Sequence, residues 1–245
     1  PPRRVPHWGT LASPKETRHM TCHVSLFALT VPLEGATMPI MSALESGFCR
    51  NAPWRIFARR RVLRWALQGH ALSGQVLELG AGSGAMAEGA ASTFPEARLT
   101  VTDLDPTMVR SARERLRPYP NVEVIEADIT RLAFEDGSFD IVTSNLMLHH
   151  VVDWPAALDE ARRVLRPGGL LLGYDLTRTL AAEAIHFVDR SPHRLIKADN
   201  LAAQLVSSGF NEVAVDSAWR GHVMRFSGRA PSPAVEIGED AGTSR

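Results

Sequence analysis

Short apolar runs alternate with amphipathic stretches along most of this chain, beginning near residue 54. Ile56, Val62, Leu63, Ala66 and Leu67 recur at helical spacing and predict a helix over 54–68. A buried strand over 76–79 follows, then a helix opening at Gly84, a second strand over 97–102 and a third over 122–126. Pro106 suits the first turn of the helix after the second strand, and Asp105 is placed to cap it. Next come an Asp136-Gly137 turn, a fourth strand over 139–144, a helix over 153–165 stopped by Pro167-Gly168-Gly169, and a fifth strand over 170–174. Residues 178–189 read as a short helical excursion, and 198–208 as a helix closing at Gly209. Two last strands, 212–219 and 222–227, are hinged at Arg220-Gly221; so close a pair is a hairpin, and the last strand runs antiparallel to its neighbour. The alternation predicts an α/β fold with a mostly parallel sheet.

Composition narrows the picture modestly. A chain of 245 residues with one α/β pattern reads as one large domain over 38–228, flanked by an N-terminal extension (1–37) and a C-terminal tail (229–245) of disordered character. Met38 and Met41 stand as candidate natural starts. Lys and Arg total 27, as do Asp and Glu, so the broad attraction of a basic domain to nucleic acid is not expected. The Arg59-Arg60-Arg61 run reads as a solvated helix face. Cys22 and Cys49 are too few for a disulfide framework or a zinc site, and no apolar run approaches the roughly 18 residues of a membrane span. A cytoplasmic protein without membrane insertion or metal is the expectation.

The chemistry is concentrated after the first strand. Val-Leu-Glu78-Leu-Gly80-Ala81-Gly82-Ser-Gly84 places three glycines where a strand turns into a helix, which lets a ligand approach bare backbone. Taken alone the turn is ambiguous, since Gly80-x-Gly82-x-x-Ala85 also satisfies the looser dinucleotide fingerprint. Two further acids stand near strand ends: Asp103 closes the second strand and Asp128 follows the third.

Together with Thr102-Asp103-Leu104-Asp105-Pro106, Ala127-Asp128-Ile129, Asp136-Gly-Ser-Phe-Asp140, Leu148-His149-His150 and Leu165-Arg166-Pro167-Gly168-Gly169, this order resembles the class I S-adenosylmethionine (SAM)-dependent methyltransferases, in their broad ubiquinone/menaquinone methyltransferase-like branch. The resemblance covers roughly residues 54 to 228. It implies a Rossmann-like seven-stranded sheet with one antiparallel strand and helices on both faces. It also implies SAM as cofactor, S-adenosylhomocysteine as product, and a small-molecule acceptor. Under it, Gly80, Ala81, Gly82 and Gly84 cradle the methionine and ribose portion, and Glu78 fixes the cationic end. Asp103 takes the ribose diol, Asp128 the adenine amino group, Leu104 and Ile129 sandwich the ring, and Asn145 lies near the transferring methyl.

No catalytic residue is assigned. SAM is already activated, so a base is needed only where the acceptor must lose a proton; His149 and His150 are candidates for that role, beside a structural one. Acceptor recognition is expected around Trp54 and Phe57, residues 149–154 and residues 177–193. Two other readings stand beside this one. A nicotinamide-dependent oxidoreductase would use the same glycine turn and Asp103, although it leaves Glu78, Asp128 and the terminal hairpin without a role. A SAM-binding sensor or partner subunit would keep the cofactor residues and catalyse nothing.

Overall fold

The computed structural model describes residues 56–179 and 194–232. The expected extension, the tail beyond 232, Trp54 and most of the excursion at 178–189 lie outside them.

Seven strands form one sheet: β1 (Gln75–Leu79), β2 (Arg98–Asp103), β3 (Val122–Glu126), β4 (Phe139–Asn145), β5 (Leu165–Leu176), β6 (Asn211–Ala218) and β7 (Val223–Arg229). Their order is β3-β2-β1-β4-β5-β7-β6. All pairings up to β4–β5 are parallel, while β7 runs antiparallel to both β5 and β6. The hairpin at the end of the chain thus inserts its second strand between β5 and its own first strand, as the single reversed member.

Helices cover both faces. On one side lie α1, a π-helical segment Ala58–Val62 that continues as α-helix Leu63–Ala66, then α2 (Ala85–Thr93) and α3 (Pro106–Leu116). They pack onto Val76, Leu99, Val101, Ile141 and Leu172. On the other side α4 (Trp154–Val164) and α5 (Ala198–Ser207) cover Leu77, Leu79, Val142, Leu171, Met224 and Phe226. Residues one apart on a strand serve opposite cores, which is why the inner strands read as unbroken apolar runs.

The caps follow the local chemistry. Asp105 accepts from the Thr107 N–H with Pro106 in the first turn, and Asp153 accepts from Ala156 N–H. Helix α4 ends earlier than its stop signal suggests. Leu165 is already extended (φ −76°, ψ 134°), so β5 begins there rather than at residue 170. Pro167 disfavours helical geometry at Arg166. Arg166 in turn bonds Asp140 at 2.6 Å, and Arg163 bonds Glu160 and Asp136, fastening the end of α4 to the start of β4.

The two edge strands are guarded. On β3, Glu123 and Glu126 are exposed, and β6 breaks register between Asn211 and Ala214 around Glu212, whose φ is 50°.

Candidate functional site at the carboxyl ends of the strands

Strand order reverses between β1 and β4, and in open parallel sheets the crevice beyond such a reversal is where ligands bind. Glu78 of β1 and Asn145 of β4 meet across it, Asn145 Nδ2 donating to Glu78 Oε1 at 3.1 Å. Alternation puts Glu78 on the same face as Val76, so its carboxyl sits under the α1–α2 layer, 4% exposed. Burial pushes its pKa up to about 7; the Asn145 bond opposes the rise and the Asp103 charge adds to it.

The turn after β1 is fixed by its own backbone and by Asp103. Ala81 N–H donates to Thr102 O at 2.8 Å and Gly84 N–H to Ala81 O at 3.0 Å. Asp103 Oδ2 accepts from Gly82 N–H at 2.7 Å, and Oδ1 from Asp105 N–H at 2.9 Å. Desolvation raises the Asp103 pKa above its ordinary value, against the lowering by those two N–H groups. A third backbone N–H, that of Leu104, also lowers it.

Two glycines need their freedom for different reasons. Gly80 (φ 58°) lies so near Met147 that a Cβ would collide with that side chain. Gly82 (φ 55°) faces open space, with nothing within 4 Å of where a Cβ would stand. That leaves bare backbone open between the carboxyls of Glu78 and Asp103. Two carboxyl acceptors beside open backbone suit a ligand bearing a cationic amino acid end and a ribose.

Other expected positions divide. Leu104 is half-buried against the core of the α4–α5 face. Asp128 Oδ1 accepts from Thr130 N–H at 2.9 Å and Thr130 Oγ1 at 2.7 Å, an Asx turn that orients the carboxylate. Ile129 differs from expectation: its side chain is fully buried among core residues and has no exposed face to lay against a ring.

Sequence reasoning missed one acid. Asp175, fully buried near the end of β5, accepts from the ring Nδ1 of His149 at 2.5 Å, from His149 N–H at 3.1 Å and from Leu176 N–H at 2.6 Å. His150 is half-buried, its ring centroid 4.0 Å from that of His149. An acid closing the apolar run before it was the available signal. Its partner was invisible without the register of β4 on β5.

The raised Glu78 pKa carries a stability consequence. The folded state holds this proton more tightly than an unfolded glutamate, so the linked stability is present below about pH 4.5 and is lost as pH rises through about 7. Glu78→Gln does not titrate and is expected to gain about 3 kcal/mol on the unmodified ligand-free chain across that interval. Urea unfolding of both at about pH 5 and about pH 8 checks it, and parallel pH profiles would contradict the assignment.

The architecture is that of the Rossmann-like class I methyltransferases. Residues 77–173 match the family model described as a methyltransferase domain. A malonyl-[acyl-carrier protein] O-methyltransferase of Geobacter sulfurreducens is 36% identical over 152 residues, covering 58% of this chain and 57% of that protein. A probable SAM-dependent methyltransferase of Mycobacterium tuberculosis is 31% identical over 170 residues, covering 69% and 60%. The chain therefore spans less than two thirds of either relative. Among solved structures, a methyltransferase in complex with the Haloferax volcanii Trm112 activator superimposes with a TM-score of 0.65 at 19% identity, over 78% of this chain and 99% of that one. Among the described residues, no helix is long and apolar enough to cross a membrane.

Proposed function

We propose that this chain binds SAM across the β1–β4 crevice and transfers its methyl group to a small-molecule acceptor. The observation that carries the reading is the Glu78–Asn145 bond at the strand-order reversal, beside a glycine turn held open by Asp103. Glu78 would hold the cationic amino acid end, the Gly80–Gly84 turn the backbone-facing side, Asp103 the ribose diol and Asp128 the adenine amino group, with Leu104 along the ring. Bound SAM would supply an activated methyl to which the acceptor's nucleophile bonds in line as the methyl–sulfur bond breaks, with the neutral thioether as leaving group.

The protein's share is alignment and exclusion of water. Asn145 occupies both tasks at once, steadying Glu78 and standing at the crevice. The reversed β7 supports this reading over a nicotinamide-dependent one, which gives Glu78 and the terminal hairpin no role. The scarcity of cysteine supports a reducing, cytoplasmic setting. The Geobacter relative is named for an oxygen acceptor; the acceptor atom here is a matter for product analysis.

Incubation with methyl-labelled SAM and a metabolite extract is expected to give a labelled small molecule that disappears when Asp103 is replaced by Ala. Persistent lack of label, with S-adenosylhomocysteine still bound, would favour a sensor or partner subunit instead.

A further inference from the structure

An aromatic row continues outward from the crevice on the α1 face. Tyr174 of β5 stands opposite Asn145 in register, and Leu146 N–H donates to Tyr174 O at 2.8 Å. Trp65 of α1 meets the Tyr174 ring edge-on, centroids 5.7 Å apart at 68°. Trp219, from the turn between β6 and β7, stacks on Trp65 at 5.5 Å and 15°. The Arg225 guanidinium carbon lies 5.9 Å from the Trp65 ring centre, and the same guanidinium bonds Asp216. Glu78, Asn145, Tyr174, Trp65 and Trp219 thus follow one another across β1, β4, β5 and the last hairpin. Neighbouring strands are about 4.8 Å apart, so the inner end of the row adjoins Asn145.

Packing alone does not account for Trp219. Three successive residues, Trp219, Arg220 and Gly221, have φ of 49°, 59° and 82°. Left-handed turn positions favour Gly, Asn or Asp, and a bulky residue there is a genuine outlier. Yet Trp219, held in this strained backbone, is 54% exposed, so burial offsets little of the strain. Strained backbone that displays a side chain to solvent points to a ligand for that side chain. One ring face meets Trp65, which leaves the outer surface of Trp219 as a flat apolar shelf.

We propose that Trp219, backed by Trp65 and the buried Tyr174, forms the outer ledge of the acceptor site, and that the acceptor carries a planar aromatic group that stacks on Trp219 while its nucleophile reaches inward along the row toward Asn145. Arg220, exposed beside Trp219, sets positive charge at the rim and suits electron-rich or acidic ring substituents. The proposal rests on the methyltransferase reading above, because the ledge gains its meaning from a row whose inner end, Tyr174, pairs with Asn145.

The test uses the full chain with and without saturating S-adenosylhomocysteine, 2-naphthol as the flat probe and its ring-saturated analogue decahydro-2-naphthol as the comparison, with binding followed by ligand-observed NMR. Saturable binding of 2-naphthol is expected. Trp219→Gly should weaken it by about tenfold, while Trp219→Phe retains most of it and S-adenosylhomocysteine affinity stays the same in both. Trp219→Gly should also keep or raise the thermal midpoint, since glycine relieves the left-handed backbone; a purely structural tryptophan would instead lower it. Equal binding of the two probes, undiminished binding to Trp219→Gly, or no saturable binding of 2-naphthol would overturn the ledge. Loss of the S-adenosylhomocysteine signal with 2-naphthol binding intact would mark failure of the cofactor reading and overturn the acceptor role.

Discussion

Replacing Asp103 with Ala is expected to weaken S-adenosylhomocysteine binding by about a hundredfold or more, read by calorimetry. Two effects combine. A carboxylate that can receive both ribose hydroxyls is lost, at about 1.5–3 kcal/mol for each charged hydrogen bond. The Gly82 N–H, now held at 2.7 Å by Oδ2, also loses its acceptor, and the turn is no longer fixed in the open form. Asp103→Asn should fall between the two, because its one carbonyl oxygen cannot serve both the turn and a diol. Binding unchanged in both variants would remove the ribose assignment and with it the crevice as the cofactor site.

Asp175→Ala is expected to be the most damaging single change to stability, about 3–5 kcal/mol by the usual effect of breaking a buried polar pair from one side. Its carboxylate serves the His149 ring, His149 N–H and Leu176 N–H, all in a fully buried setting. With total stabilities of domains near 5–15 kcal/mol, such a loss brings the fold close to its limit. Denaturant midpoints of Asp175→Ala and His149→Ala, together with the double variant, separate the pair from its parts. If the double variant were no less damaged than the sum of the singles, the two residues would not be acting together.

Much of the sheet was legible because β1 and β4 are short, largely apolar runs and β2 and β3 alternate apolar with polar residues, all between clear breaks. The terminal hairpin was readable for the same reason, since few residues separate β6 from β7 and only an antiparallel return is possible. Legibility failed where a longer-range partner decides. The π-helical segment at Ala58–Val62 has no signature in a helical pattern of apolar positions. Leu165 starts a strand because of what Pro167 does to Arg166 and because Arg163 and Arg166 find carboxylates on another element. Asp128, read as an adenine ligand, has a competing reading as a turn former, and its bonds to Thr130 are those of such a turn. Ile129 looked like a ring-stacking neighbour from its place beside Asp128, yet the strand-end geometry turns its side chain inward.

The borders of the sheet bear on how copies of this chain can associate. A newcomer strand would meet the carboxylates of Glu123 and Glu126 at one margin and kinked, out-of-step backbone around Glu212 at the other. Lateral growth into ribbons through either described edge is therefore disfavoured.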